Sequence, residues 1–189
     1  MQDENVYKIR LDYYKGIISE NDLSLLKNNL SEVDIELMEY DQTDIPMACL
    51  DLFTSQINLN LSEALTQAII YGIITNTIYD ILKTAILSMW NNLKGKTLNK
   101  LQGGVIKEEK VSLSVKTKFK DSIVNFRLPE EIPNQQKQQC INELFEFAKE
   151  VQPTTRPSSQ YAIYDLQASR WKIINISEEI KKVKAEFKQ

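Results

Sequence analysis

The sequence of 189 residues contains no histidine and only two cysteines. Without histidine there is no imidazole base, no Ser-His-Asp or Cys-His catalysis and no ordinary catalytic zinc site. Two isolated thiols, Cys49 and Cys140, cannot hold a zinc finger or an iron–sulfur cluster, and they are typical of reduced, buried cysteines in a cytosolic protein. We therefore expect no catalytic residue, no metal and no cofactor.

Glycine is also scarce, with five residues in the chain, and this bears on nucleotide binding. Gly95-Lys96-Thr97 resembles the end of a phosphate-binding loop. However, Trp90 stands where that motif needs its first glycine, and the segment follows a predicted helix, not a strand. No Gly-x-Gly-x-x-Gly motif is present either. The sequence thus argues against nucleotide binding through either glycine-rich loop.

Long apolar runs are missing as well. The uncharged segment 64–79 has 16 residues, short of the roughly 20 that a membrane-spanning helix needs, and threonine and asparagine dilute it. The first ten residues hold two acidic and two basic side chains and lack the apolar core of a secretory signal. We expect a cytoplasmic protein with no membrane span.

A helix-forming stretch dominates what is present, NLSEALTQAIIYGIITNTIYDILKTAILSMWNNLK at 60–94. Asn60 with Glu63 fits a capping box, and the apolar residues that follow cover more than one face. Ala68 and Gly72 belong to a row of small residues at every fourth position, which favours a close backbone contact. No proline interrupts the segment, so we predict one helix over about 61–93 and leave open a kink near 72–77.

The remaining patterns predict strands and shorter helices around this helix. Period-two alternation indicates strands at 7–13 and 33–37, with a helix capped by Ser19 between them, and a hairpin over 111–128. An amphipathic helix is predicted at 133–151, and 47–53 is left open between strand and helix. The sequence thus predicts an α+β fold of two layers, with a mixed or antiparallel sheet packed on the long apolar helix.

We predict one core domain over 1–151 and a linker-like stretch at 152–160. Beyond it, alternating residues indicate a last hairpin within 161–174, and Asn175 with Glu178 caps a terminal helix. Thirty residues cannot form a core alone, so we expect 161–189 to pack on the core domain.

Two groups of polar residues are candidate sites. Residues 94–120 hold eight lysines against two glutamates, whereas 1–63 hold 13 acidic and four basic residues. An anion-binding surface is expected on Lys116, Lys118, Lys120, Lys96 and Lys100, with a solvated strand face as the structural alternative. Asp80 and Asn76 end or interrupt the apolar run, so they are candidates for a buried polar site; for Asp80 the alternative is a simple pairing with Lys83.

The order of predicted elements resembles that of a known family. The order is strand, helix, strand, long apolar helix (YDILKTAIL), hairpin (VSLSVKT and IVNFRL) and amphipathic helix. It is similar, over about 1–151, to bacterial effector-associated constant components. That resemblance implies a bacterial, non-enzymatic, adaptor-like module with a protein partner, and it assigns a role to no residue.

We therefore expect a cytoplasmic protein-interaction module, with homo-oligomerisation left open. The alternative is binding of an anionic ligand, nucleic acid or a lipid surface, through the lysines; nucleic acid is not the expected partner, because arginine forks and stacking aromatics are missing there.

Overall fold

The computed structural model describes residues 7–43, 55–102, 105–120, 122–151 and 158–174; of residues 100–102 and 158 it describes the backbone. In chain order the elements are β1 (Tyr7–Tyr13), α1 (Glu20–Ser31), β2 (Ile35–Asp41), β3 (Gln56–Leu61), α2 (Glu63–Ile70), α3 (Asn76–Asn92), β4 (Thr97–Gln102), β5 (Val105–Lys110), β6 (Ser112–Phe119), β7 (Ser122–Arg127), α4 (Asn134–Glu150), β8 (Ser158–Asp165) and β9 (Arg170–Ile174).

Seven of these strands form one mixed sheet in the order β2-β1-β3-β6-β7-β8-β9, and β4 pairs with β5 in a separate hairpin. The pairs β1–β2, β3–β6 and β7–β8 are parallel, whereas β1–β3, β6–β7 and β8–β9 are antiparallel. Helix α1 contacts α3, and α4 contacts both α2 and α3, so the helices form one layer. The predicted α+β fold of two layers with a mixed sheet is confirmed.

Alternation along the strands sends apolar side chains to the helices and polar ones to the opposite face. In β6, Leu113 and Val115 are buried in the core, while Ser114 and Lys116 point to the face without helices. The fully buried large side chains that fill the space between the layers are Leu11, Leu30, Ile35, Ile57, Leu65, Leu82, Ile86, Met89, Phe126, Leu128, Ile141 and Phe145. The core therefore draws on both ends of the described chain.

The predicted helix over 61–93 is two helices, because α2 ends at Ile70 and the chain turns at Gly72 before α3 begins at Asn76. Gly72 has φ +66°, and its N–H donates to the carbonyl of Ile69 at 3.2 Å. The N–H of Ile73 donates to the carbonyl of Ala68 at 2.9 Å, which completes a Schellman motif. Thr75 then caps α3 by accepting from the N–H of Ile78 at 3.3 Å. The absence of a side chain at Gly72 permits its positive φ and does not serve a close backbone contact, since a Cβ there would meet nothing within 4 Å.

We expect Gly72→Ala to lower the free energy of unfolding by about 1–2 kcal/mol, because the left-handed conformation costs this much for a residue with a Cβ. The midpoint of urea unfolding measures the loss. Gly72→Asn is the matched control and should lose less, since asparagine tolerates positive φ. An alanine variant as stable as the native chain would show that the motif does not set the end of α2.

Three other elements differ from the sequence prediction. Strand β3 was not expected: Asn60 lies within it, and Ser62, not Asn60, caps α2 by accepting from the N–H of Leu65 at 3.3 Å. The signal was the alternation QINLNL, which the strong helical pattern after it obscured. The β4–β5 hairpin lies in a segment for which the sequence predicted no strand, and β2 begins at Ile35, because Asp34 has φ +56° in the preceding turn.

The C-terminal hairpin completes the main sheet. Strand β8 pairs with β7 from Ser158 onward, so the predicted linker does not extend through 158–160. The Trp171 ring lies 5.1 Å from the Phe126 ring, and its indole N–H donates to the carbonyl of Cys140 at 2.9 Å. The rest of the predicted linker (152–157), the segment 47–53 and the predicted terminal helix lie outside the described residues.

Candidate functional site

The structure places Lys116 inside a polar cluster on the face of the sheet without helices. Asp12 is 2% exposed; its carboxylate lies 2.8 Å from Nε of Arg10 and accepts from Nδ2 of Asn60 at 2.9 Å. Burial lowers the pKa of Lys116, and Arg10 adds to this, while Asp12 opposes it. Lys116 is therefore half-buried beside Asp12 and Arg10 and is not part of an open lysine surface.

Lys118 and Lys120, near the end of β6, are both close to one carboxylate. Nζ of Lys118 lies 3.7 Å from Oε2 of Glu63, and the backbone N–H of Lys120 donates to Oε1 of Glu63 at 3.1 Å. Lys120 has φ +52° in the turn between β6 and β7. The contacts with Glu63 and the turn at Lys120 give these two lysines a structural role at the end of β6.

The other two predicted lysines lie elsewhere. Lys96 precedes β4, and its carbonyl accepts from the N–H of Val111 at 2.9 Å, at the start of β6. Eight residues of strand, about 26 Å at roughly 3.3 Å each, separate that point from Phe119. Lys100 pairs with Lys107 through the backbone of the small hairpin. The structure thus does not bring the five predicted lysines to one surface.

The predicted buried polar site is not buried. Asp80 keeps 69% of its side chain exposed and pairs with Lys83 on the same helix at 3.0 Å, which is the simple pairing considered from the sequence. Asn76 is exposed at the first position of α3. Once the long helix breaks at Gly72, these residues lie on the outer side of a helix whose other side covers the sheet.

A different group of lysines lines a cavity of about 610 Å³. The cavity lies where the end of α3, the start of β6 and the start of α4 meet. Apolar side chains form part of its wall, and its charged members are four lysines and two glutamates: Lys94, Lys96, Lys110, Lys137, Glu130 and Glu131. We call this cavity the lysine pocket.

Lys137 is the most unusual member of the lysine pocket. It is only 4% exposed, and its Nζ donates to Oδ1 of Asn91 at 2.5 Å and lies 5.1 Å from the centre of the Trp90 ring. Among the described residues no carboxylate pairs with it. Burial lowers the pKa of Lys137, and the nearby charge of Lys94 lowers it further. A buried ammonium is ordinarily paired with an acid, so this one is poorly compensated.

The fold adds two further unfavourable terms at Lys137. It is the fourth residue of α4, and a cation in the first helical turn opposes the helix dipole. Pro133, the N-cap residue, makes no side-chain hydrogen bond to the first turn. Both effects raise the positive potential at the end of the helix that borders the pocket.

The glutamates of the lysine pocket have other partners. Glu130 accepts from Arg127 at 3.3 Å, and Glu131 lies 3.3 Å from Nζ of Lys110. Lys96 is directed out of the group, because its Nζ donates to the carbonyl of Ile17. Lys94 and Lys137 therefore supply the cationic charge that no described carboxylate of the pocket offsets.

Sequence reasoning found Lys94, Lys96 and Lys110 as part of the lysine-rich segment, but it missed Lys137 and Trp90. A signal for Lys137 was present. It lies three, four and seven residues before Cys140, Ile141 and Leu144, so it continues the buried stripe of α4. A lysine on an apolar stripe is a departure from helix patterning that invites a functional explanation.

Comparison with protein-family models, curated proteins and solved structures finds no match to this chain. The resemblance to effector-associated constant components therefore stays a prediction. No helix among the described residues is both long enough and apolar enough to cross a bilayer. Nor do three acidic or cysteine side chains converge on a metal site in that part of the chain.

Replacing Lys137 by methionine should leave the protein as stable or make it up to about 2 kcal/mol more stable, because a buried charge is exchanged for an apolar side chain of similar length. Chemical unfolding measures this, with Lys149→Met, on the outer face of the same helix, as the control. A loss of stability in Lys137→Met alone would mean that the ammonium holds Asn91 and Trp90 in place and is structural.

Proposed function

We propose that the protein is a non-catalytic binding protein for a small anionic molecule, which the lysine pocket takes up. One observation carries the proposal: a buried lysine, with which no described carboxylate pairs, faces a cavity that three more lysines line. An anion would supply the missing charge, and a cavity of this size suits a small metabolite. The pocket thereby favours the anionic-ligand alternative, with a site that differs from the one expected on the strand.

The chemistry of the wall narrows the ligand class. Trp90 is fixed by the hydrogen bond from its indole N–H to the carbonyl of Pro129 at 3.1 Å, and Leu93 and Leu113 line the cavity beside it. A ligand that combines one phosphate or carboxylate with a compact apolar part would use both the lysines and these side chains. An extended polyanion fits less well, because the cationic groups lie in a concave site and not along a track.

Inorganic phosphate is the simplest probe. We expect it to raise the melting temperature of the native chain at constant ionic strength, because a ligand that binds only the folded state stabilises it by mass action. The rise should be lost in Lys137→Met and kept in Lys118→Met, which removes a lysine at the other end of β6. Equal rises in all three proteins would show general salt stabilisation and contradict the proposal.

Binding should also weaken at alkaline pH. The charged form of Lys137 binds the anion, so affinity is full below its lowered pKa and falls as pH rises through that value. Sulfate is the probe here, since its charge is constant over the range, and isothermal titration calorimetry measures its affinity. Lys137→Arg should remove the decline, because arginine stays charged. A native profile as flat as that of the arginine variant would contradict the role of Lys137.

The β4–β5 hairpin favours a second candidate function, self-association as an adaptor-like module of the bacterial cytoplasm. Val105 and Ile106 are 59% and 70% exposed, next to the hairpin's turn. A two-stranded hairpin is marginally stable in water unless it packs on something. A second copy of the chain that covers these side chains would supply that packing.

Sedimentation velocity over a concentration series tests the second candidate. We expect a concentration-dependent dimer that Ile106→Ser weakens and that Leu166→Ser, at the exposed β8–β9 turn, leaves unchanged. A native chain that stays monomeric at every concentration would rule out self-association through the hairpin.

A further inference from the structure

The amine of Lys137 differs from the amines of Lys96 and Lys110 in the lysine pocket. Lys110 pairs with the carboxylate of Glu131, and Lys96 donates to a backbone carbonyl. The contacts of Lys137, in contrast, are both uncharged: an amide oxygen of Asn91 and the face of the Trp90 ring. A neutral amine still donates a hydrogen bond to Asn91, and the ring face of Trp90 favours the ammonium form less strongly than a carboxylate would.

A lysine becomes a nucleophile when it is neutral and reachable. Enzymes that form imines with lysine favour the neutral amine by placing it in an apolar pocket or beside another cation. Lys137 has both features, since its side chain is 4% exposed and it lines the same cavity as Lys94. It also lines the cavity, so a small molecule in the pocket can reach it.

We propose that Lys137 is a covalent binding site that captures an anionic aldehyde as an imine. The inference rests on the proposed function, because the anionic group of the aldehyde is held in the same lysine pocket, near Lys94. The proposed function requires that the ligand carry an anionic group; this inference requires in addition that the ligand carry an aldehyde, whose carbonyl carbon reacts with Lys137.

The reaction balances without an oxidant or reductant. Lys137 first releases one proton to water; its nitrogen lone pair then attacks the carbonyl carbon and forms a carbinolamine. The carbinolamine hydroxyl then takes up a proton from solvent and leaves as water, which breaks the C–O bond and leaves a C=N bond whose nitrogen keeps its proton. The step is reversible, so the protein would hold the aldehyde and release it by hydrolysis.

Pyridoxal 5′-phosphate is a suitable probe, because it carries an aldehyde and a phosphate on one compact ring. The native protein is incubated with it, the imine is reduced with borohydride, and the modified lysine is identified by peptide mass spectrometry. We expect one label per chain, on Lys137. The label should disappear in Lys137→Arg, which keeps the cation but cannot form the imine, and should remain in Lys118→Arg.

Phosphate-induced stabilisation, measured on the same proteins, separates this inference from the proposed function. If Lys137→Arg keeps the phosphate response and loses the label, both proposals are supported. If phosphate binds but the label spreads over surface lysines such as Lys107 and Lys118, covalent capture is overturned and anion binding stands. A label on Lys137 without any phosphate response would overturn the proposed function alone. Absence of both overturns both.

Discussion

The pairing of β3 with β6 is the contact on which the rest of the structure depends. It joins a group of three strands, β2-β1-β3, to a group of four, β6-β7-β8-β9. Within the pair, Leu59 lies opposite Val115, and on the other face Ser114 donates to Oδ1 of Asn58 at 2.6 Å. Because the two strands are parallel, the chain must return along the length of the strands from Leu61, at the end of β3, to Ser112, at the start of β6. Helices α2 and α3 make that return.

This crossover also creates the lysine pocket. After α3 ends, the chain turns at Gly95, whose φ is +76°, forms the small hairpin and enters β6 beside the point where it left the helix. The end of β7 and the start of α4 arrive at the same edge. Three connections thus meet there without a helix or strand to fill the space between them, and both apolar and charged side chains line what remains. The order of the strands and helices thus creates the pocket, whereas the lysines that line it give the pocket its charge.

Patterns among neighbouring residues predicted the strands and helices whose formation depends mainly on those neighbours. The β6–β7 hairpin and α4 follow from alternation and from an apolar stripe, and both are present. The division of the central helix was harder, because a single glycine among good helix formers ends a helix only when the capping bonds at Ile69 and Ala68 form. The predicted site failed for a different reason. Lys94, Lys110 and Lys137 come together through tertiary contacts, and spacing along the chain carries no information about such contacts.

The distribution of charge supports a small ligand over a polyanion. The chain is acidic overall, with a net charge of −3, and its first third is the most acidic part. On the outer face of the sheet, the positive charges of Lys116 and Lys118 are countered by Asp12 and Glu63. In the lysine pocket, no carboxylate of the described segments counters Lys94 or Lys137 in this way, and the surrounding wall excludes part of the solvent that would screen them.

Lys137 brings together features that each oppose stability: burial, a neighbouring cation, a place in the first turn of a helix and an N-cap that leaves that turn unbonded by a side chain. Any hydrophobic residue of similar length would remove most of these costs while it preserved the stripe of α4. Sequences that fold well agree with their structures at every level, and departures from that agreement concentrate where a protein binds or reacts. The unfavourable environment of this one amine is therefore the strongest physical reason to place the function of the protein in the lysine pocket.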